Sequence, residues 1–164
     1  MTAPELLHVA CVQMTAGDRL DDNLHAAADL IREAASTLPI DAPRLIATPE
    51  MTSGIIKGRA AMTAAAHPQS SHPAIAFFHK LAREVQASLL IGSLAIKPPA
   101  DDPDQRLYNR SVVFSETGEA IATYDKINMF DVSVEGDQAY RESNAYRPGL
   151  DQPIAVSLGA FSLG

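Results

Sequence analysis

The sequence contains very little cysteine and few aromatic residues. Cys11 is its single cysteine, tryptophan is absent, and aromatic residues make up 5% of the 164 residues. One cysteine cannot form an internal disulfide, which fits a reducing compartment and favours a cytoplasmic protein. Long apolar runs and the pattern of a signal peptide are also missing, so the sequence predicts neither a membrane partner nor secretion.

Basic charge is scarce as well. The chain has 13 Lys and Arg residues against 20 Asp and Glu residues, which gives a formal net charge of -7. Nucleic acids and anionic membranes are bound through basic patches, and we therefore expect neither as a partner. The composition, 46% hydrophobic and 20% charged, is typical of a soluble globular domain.

Three apolar stretches predict buried strands, at residues 6–14, 44–48 and 88–96. The first stretch is apolar on both alternating faces, which is typical of a central strand. It places Cys11 in the core, where a thiol acts as a small inert hydrophobe. These strands indicate a sheet buried on at least one face.

Two amphipathic helices are predicted to cover this sheet. Apolar residues recur at spacings of three and four after Asp21, and again after the helix start at Pro73. Residues 127–150 are polar and irregular, as in the long loops that often build a site. Strands and helices in this order predict an α/β fold. The remaining strands are expected at 110–115, 120–126, 154–158 and 160–163, the first two forming an antiparallel hairpin.

Three residues at the ends of these elements could carry chemistry. Lys126 ends a strand, where a partly desolvated ammonium offers directed donors. Glu50 follows another strand and a proline, and Glu142 lies in the long loop. A carboxylate close to an ammonium can act as a general base, with a second carboxylate orienting the lysine. Taken singly, each residue is more often a solvated surface group.

Other candidate sites lack their required pattern. No glycine-rich turn follows Met14, which counts against a nucleotide-binding α/β domain. The histidine cluster lacks the spacing of a zinc site, and the aspartate cluster lacks the pattern of a calcium loop, so we expect no metal and no cofactor. The aspartates are expected to form a solvated loop. These clusters are His67, His72 and His79, and Asp101, Asp102 and Asp104.

Short motifs occur in a fixed order along the chain. They are Val-Ala-Cys-Val-Gln-Met from Val9, Pro-Glu-Met from Pro49, Gly92-Ser93, Tyr-Asn-Arg-Ser from Tyr108, Gly118-Glu119, Tyr-Asp-Lys from Tyr124, Phe-Asp-Val from Phe130, and Arg-Glu-Ser from Arg141 before Pro148-Gly149. In order and spacing they resemble the nitrilase superfamily of carbon-nitrogen hydrolases, from the first strand to Gly164.

The resemblance implies a fold and roles for three residues. The fold is the αββα sandwich of the nitrilase type, incomplete here, with residues 1–164 as the N-terminal portion of one domain that continues beyond residue 164. Glu50 matches the general base, Lys126 the lysine that stabilises the oxyanion, and Glu142 the glutamate that holds lysine and substrate. Members of the superfamily usually assemble, so a homo-oligomer is expected.

The chain departs from the family pattern at its nucleophile. The family's cysteine follows a strand that resembles residues 160–164, and this chain stops before it. Cys11 matches the family's first strand instead. We therefore expect this chain to be inactive alone and to expose sheet surface. Asp125 and Asn128, where basic residues and histidine are frequent in the family, are expected to alter substrate contacts.

Within the superfamily, residues 130–132 and 141–144 resemble the branch that hydrolyses ω-amides and deaminated glutathione. The implied function is hydrolysis of a small, carboxylate-bearing amide through a cysteine thioester, with release of ammonia. An N-carbamoyl amidohydrolase or a nitrilase shares the same three site residues. A non-catalytic truncated form that acts by binding or assembly remains a further alternative.

Overall fold

A computed structural model describes residues 6–133, 139–150 and 152–164. The helices are α1 (Leu20–Thr37), α2 (Arg59–Ala65) and α3 (Pro73–Val85), with short 3-10 turns at Gln69–Ser71 and Glu142–Asn144. The strands are β1 (His8–Cys11), β2 (Arg44–Ala47), β3 (Ser88–Ile96), β4 (Tyr108–Phe114), β5 (Ala120–Asp125), β6 (Asp131–Val132), β7 (Tyr140–Arg141), β8 (Val156–Leu158) and β9 (Phe161–Leu163).

The first five strands form one mixed sheet in the order β1-β2-β3-β4-β5. β1, β2 and β3 are parallel, since α1 and the segment containing α3 connect them, whereas β3, β4 and β5 are antiparallel. The predicted α/β class and the β4–β5 hairpin are confirmed. Two small antiparallel pairs, β6–β7 and β8–β9, follow the sheet.

Helices α1 and α3 pack on one face of the sheet and bury the main core there. The apolar stripes predicted for the two helices supply their side of this core, and alternate residues of β2, β3 and β4 supply the other. Its largest buried members include Ile31, Ile46, Phe78, Leu89, Ile91, Leu94, Val112 and Phe114.

A buried arginine closes the edge of this core. The guanidinium of Arg44, at the start of β2, donates to the carbonyls of Ala35, Val85 and Gln86 at 3.3, 2.8 and 2.5 Å. These carbonyls lie at the C-terminal ends of α1 and α3, where a helix lacks internal donors and favours positive charge. The Arg44 side chain therefore supplies hydrogen-bond donors to carbonyls at the ends of both helices.

The first strand lies at the edge of the sheet, so its predicted central position is wrong. Val9 is 51% exposed and Cys11 is also exposed, because both point to the face that carries neither α1 nor α3. An apolar pattern on both faces indicates burial by two layers, and the described residues provide a complete layer on one face only. The expected exposure of sheet surface is thus observed at this strand.

The β8–β9 segment lies over the same face farther along the sheet. Together with β3, β4 and β5 it encloses an apolar cavity of about 440 Å³, lined by residues such as Leu90, Val113, Tyr124, Ile154 and Leu163. Within the described ranges, every helix is too short or too polar to cross a bilayer.

Two of the three aspartates between β3 and β4 are paired, which corrects the expected solvated loop for Asp102 and Asp104, whereas Asp101 is exposed. Asp102 accepts from Arg147 at 2.7 Å, and Asp104 accepts from Arg106 at 2.7 Å. The first ion pair connects the 97–106 loop to the end of the long loop, and the second lies within the 97–106 loop.

Candidate active site

Glu50 begins a tight turn directly after β2. The turn is held on Ser93: the backbone N–H of Met51 donates to Ser93 Oγ at 2.8 Å, and that of Thr52 donates to the Ser93 carbonyl at 3.0 Å. Met51 has a φ of 56°, a strained value for a residue with a side chain. The position of Glu50 is thus set by contacts to β3.

Gly92 explains why β3 can approach this turn so closely. Any Cβ at this position would overlap the backbone of Thr48 and Pro49. The regular pairing of β3 with β4 shifts between Ile91 and Leu94, so Gly92 and Ser93 lie in a β-bulge. The Gly-Ser motif of the sequence therefore provides space and hydrogen bonds for the Glu50 turn.

Lys126 follows the last residue of β5, and its backbone is fixed on both sides. Its N–H donates to the carbonyl of Asn109 and its carbonyl accepts from Gly149, both at 2.9 Å. Its ammonium Nζ lies 2.9 Å from Oε1 of Glu50 and 2.9 Å from Oε2 of Glu142. The structure therefore brings together all three residues that the sequence singled out.

Glu142 starts the 3-10 turn in the long loop and is buried, with 6% of its side chain exposed. Oε2 accepts from the backbone N–H of Phe130 at 2.7 Å and from Lys126, and Oε1 accepts from Lys126 at 3.2 Å and from Asn109 at 3.1 Å. Both oxygens are thus occupied by donors.

Asn109 is a site residue that the sequence interpretation missed. Its buried Nδ2 donates to Glu50 Oε1 at 2.7 Å as well as to Glu142, so one amide joins the two carboxylates. The available signal was a polar residue inside the strand motif Tyr-Asn-Arg-Ser. Its function depends on the position of β4 between the two glutamates, which the pattern alone does not give.

The turn that bears Glu142 has its own support. Asp131 accepts from the backbone N–H of Ser143 at 3.0 Å and from its hydroxyl at 2.6 Å. Arg106 donates to the carbonyl of Ser143 at 3.1 Å. β6 pairs with β7, so residues 130–132 and 140–143 form one hydrogen-bonded unit. The Phe-Asp and Glu-Ser motifs are therefore parts of a single support.

The carboxylates keep the lysine charged. Burial disfavours the ammonium of Lys126, but its hydrogen bonds to Glu50 and Glu142 outweigh that effect and raise its pKa above the ordinary value. Burial likewise opposes ionisation of Glu142, yet the bonds from Phe130, Lys126 and Asn109 lower its pKa. At neutral pH the site thus holds an ammonium, which suits stabilisation of negative charge rather than proton abstraction.

The other candidate residues have structural roles. Asp125 forms a two-bond ion pair with Arg110, at 2.7 Å for each bond, rather than facing Lys126. His72 accepts from the N–H of Ala74 and caps α3, while His79 bonds to the carbonyl of Gly118. In the described part of the chain, no group of three metal-binding side chains is found.

The three site residues line a cavity of about 550 Å³, which we call the site cavity. Most of its wall is apolar or aromatic, and Tyr146 lies in it with its hydroxyl 3.6 Å from the sulfur of Met51. Burial, with a smaller effect of nearby negative charge, raises the pKa of Tyr146, so its phenol remains protonated. The cavity is large enough for an organic group beyond a single amide.

The ammonium held between two glutamates beside an apolar cavity, at the end of an α/β sheet, is suited to stabilising negative charge on a bound group. The sequence matches the carbon-nitrogen hydrolase family over residues 8–164, and the chain belongs to that family.

Individual relatives agree with this assignment. The chain is 30% identical to the deaminated glutathione amidase of Bos taurus over 161 residues, which cover 97% of this chain and 48% of that protein. It is 26% identical to omega-amidase NIT3 of Saccharomyces cerevisiae, over 96% of this chain and 54% of that protein. The chain therefore spans about half the length of these relatives.

Solved structures show the same fold. The crystal structure of Saccharomyces cerevisiae Nit3, a member of branch 10 of the nitrilase superfamily, matches with a TM-score of 0.74 and 22% identity, over 94% of this chain and 52% of that one. An amidase mutant from Nesterenkonia sp. AN1, with acrylamide added at its active-site cysteine, matches with a TM-score of 0.71 and 21% identity, over 96% and 55%. The nitrilase-type fold is thus confirmed.

Proposed function

We propose that the protein carrying this chain is an amidase that hydrolyses a small, carboxylate-bearing amide, such as an ω-amide or deaminated glutathione. The observation that carries the proposal is the position of Lys126 Nζ, 2.9 Å from both Glu50 and Glu142 inside the site cavity. Amidases with these substrates in their names are among the relatives.

The roles follow from the geometry and from the chemistry of acyl transfer. Glu50, half exposed and using only Oε1 for hydrogen bonds to the described residues, removes the thiol proton of a cysteine. The thiolate attacks the amide carbon, and Lys126 stabilises the oxygen that becomes negative. Glu142 holds the lysine in place.

The second half of the reaction reuses the same carboxyl group. Protonated Glu50 gives its proton to the leaving nitrogen, so the carbon–nitrogen bond breaks, ammonia departs and a thioester remains. Glu50 then takes a proton from water, whose oxygen attacks the thioester. The carbon–sulfur bond breaks, Glu50 returns that proton to the sulfur, the acid leaves and the cysteine thiol is regenerated.

The nucleophile is proposed to be a cysteine outside residues 1–164, in the remainder of a single domain. Cys11 does not line the site cavity and lies on the open face of the sheet. Without that remainder, we expect no turnover. A cytoplasmic homo-oligomer remains the prediction for the whole protein.

Ammonia release from α-ketoglutaramate and from deaminated glutathione tests the proposal. We expect the full-length protein to turn over at least one of them, and Lys126→Ala to lower the rate by about 10²-fold or more, because the oxyanion loses its charged donor. Lys80→Ala, on the exposed side of α3, is the matched control. Undiminished turnover in Lys126→Ala would refute the assigned role.

A further inference from the structure

The site cavity contains a second lysine that the proposed chemistry does not use. Lys57 lines the cavity together with Glu50, Lys126 and Glu142, and the remaining wall is mostly hydrophobic. Lys126 is committed to the two glutamates. Within the described ranges, Lys57 has no carboxylate at ion-pair distance, so its charge is available to a ligand.

The backbone around Lys57 is positioned by the fold. It lies on the short segment between the Glu50 turn and α2, and this segment is tied to the loop before α1 by the Ile55 N–H, which donates to the carbonyl of Gly17 at 2.8 Å. On the other side, Gly58 has a φ of 90°, which only glycine adopts readily, and its carbonyl accepts from Met62 at 3.0 Å. Lys57 is therefore carried on a defined turn at the cavity wall.

The charges in the cavity decide what kind of substrate fits. Glu50, Glu142 and Lys126 together carry a net charge of about -1 when all are ionised, which repels an anion. Among the described residues that line the cavity, Lys57 brings this net charge close to zero. An anionic substrate therefore depends on this ammonium, whereas a neutral one does not.

The wall of the site cavity also carries exposed apolar side chains. An aliphatic or aromatic chain bound in the cavity would cover these side chains. They are Ile55, Phe130 and Tyr140, each more than half exposed, and the two rings lie 6.0 Å apart. An amide group at Lys126 would thus be followed by an apolar stretch.

We propose that Lys57 binds the carboxylate at the end of the substrate remote from the amide, and thereby selects amides of carboxylic acids. This inference rests on the proposed function. The Lys57 ammonium donates to the carboxylate while Lys126 faces the amide. Lys57 thus serves substrate binding, and Lys126 serves the reaction.

The test compares glutaramate, an amide with a free carboxylate, with the neutral diamide glutaramide in the full-length protein. Lys57→Met should raise the ratio of KM for glutaramate to KM for glutaramide by about tenfold or more, because a charged hydrogen bond is lost. Lys57→Arg should restore most of the ratio, and Lys80→Met, which removes an exposed charge elsewhere, should leave it unchanged. An unchanged ratio in Lys57→Met would overturn the inference.

Calorimetric binding of glutarate separates this inference from the proposed function, because it needs no turnover. Glutarate binding that is lost in Lys57→Met and kept in Lys80→Met supports the carboxylate site, even if no ammonia is released. Glutarate binding that is absent in the unaltered protein, or equal in Lys57→Met, overturns it even if the protein is an active amidase.

Discussion

The turn that carries Glu50 and the loop that carries Glu142 bring two carboxylates to the same lysine, in contrasting surroundings. The Glu50 side chain is 54% exposed, and only its Oε1 accepts hydrogen bonds from described residues. The Glu142 side chain is 6% exposed, and both of its oxygens accept. A fully bonded buried carboxylate loses bonds when it takes up a proton, whereas a half-exposed one does not. The difference favours Glu50 as the proton carrier and Glu142 as the fixed partner.

The largest expected effect separates the two glutamates by activity. Glu50→Gln should lower turnover by roughly 10²- to 10⁴-fold, because the amide cannot accept the nucleophile's proton. Its Oε1 can still accept from Lys126 and Asn109, so the free energy of unfolding should change by only about 0.5 kcal/mol. Ammonia release and urea unfolding of the full-length protein measure both quantities. Turnover within tenfold of the unaltered protein would remove Glu50 from the role of base.

A smaller effect separates them by stability. Glu142→Gln turns one acceptor into a donor that faces Lys126 and either Asn109 Nδ2 or the N–H of Phe130, and it should cost about 2 kcal/mol of unfolding free energy. Urea unfolding of this variant beside Glu50→Gln makes the comparison direct. If the two variants lose equal stability, the contrast between a fixed and an accessible carboxylate is wrong.

The smallest expected effect is on the acid side of the stability profile. Because folding lowers the pKa of Glu142, the ionised side chain stabilises the folded protein at pH values above 4.5, its ordinary pKa. This stabilisation is lost as the pH falls through the pKa of Glu142 in the folded protein. Glu142→Gln should therefore flatten the profile below about pH 4.5. Urea midpoints measured from pH 7 to pH 3 test this.

His72 provides the control for that profile. Burial, and to a lesser degree the nearby His67, lowers the pKa of His72 from 6.5 to about 4. Between pH 6.5 and pH 4, His72 therefore binds a proton in the unfolded chain but not in the folded one. Stability should fall between pH 6.5 and pH 4 for this reason. His72→Asn keeps a helix-capping acceptor. It should remove the pH dependence of stability between pH 6.5 and pH 4 and leave the rest of the profile unchanged. A Glu142→Gln variant that changes the same window would contradict the assignment.

Much of the fold followed from local patterns. The bounds of β3 were predicted correctly at 88–96, and α3 begins at Pro73 as predicted, since a capping side chain and a proline fix a helix start independently of the rest of the chain. The position of β1 was predicted incorrectly, because it depends on which layers cover the sheet rather than on the strand's own residues.

The site was predicted in part. Glu50, Lys126 and Glu142 were singled out from their positions at strand ends and in the long loop, and the family resemblance supplied their expected roles; the structure brings the three together. Their environments were not predictable, because the burial of Glu142 depends on the pairing of β6 with β7. Asn109 and Lys57 were missed for the same reason: each reaches the cavity through contacts between segments distant in sequence.

The β-bulge at Gly92 and Ser93 has a consequence for efforts to stabilise this protein. An uninterrupted β3 would use the backbone groups of these residues for pairing with β4. Here the Gly92 N–H donates to Thr48, the Gly92 carbonyl accepts from the Ser111 hydroxyl, and the Ser93 carbonyl accepts from the Thr52 N–H. Substitutions chosen to improve strand propensity would favour the regular strand. They would remove the support of the Glu50 turn, so a more regular sheet would be a less functional one.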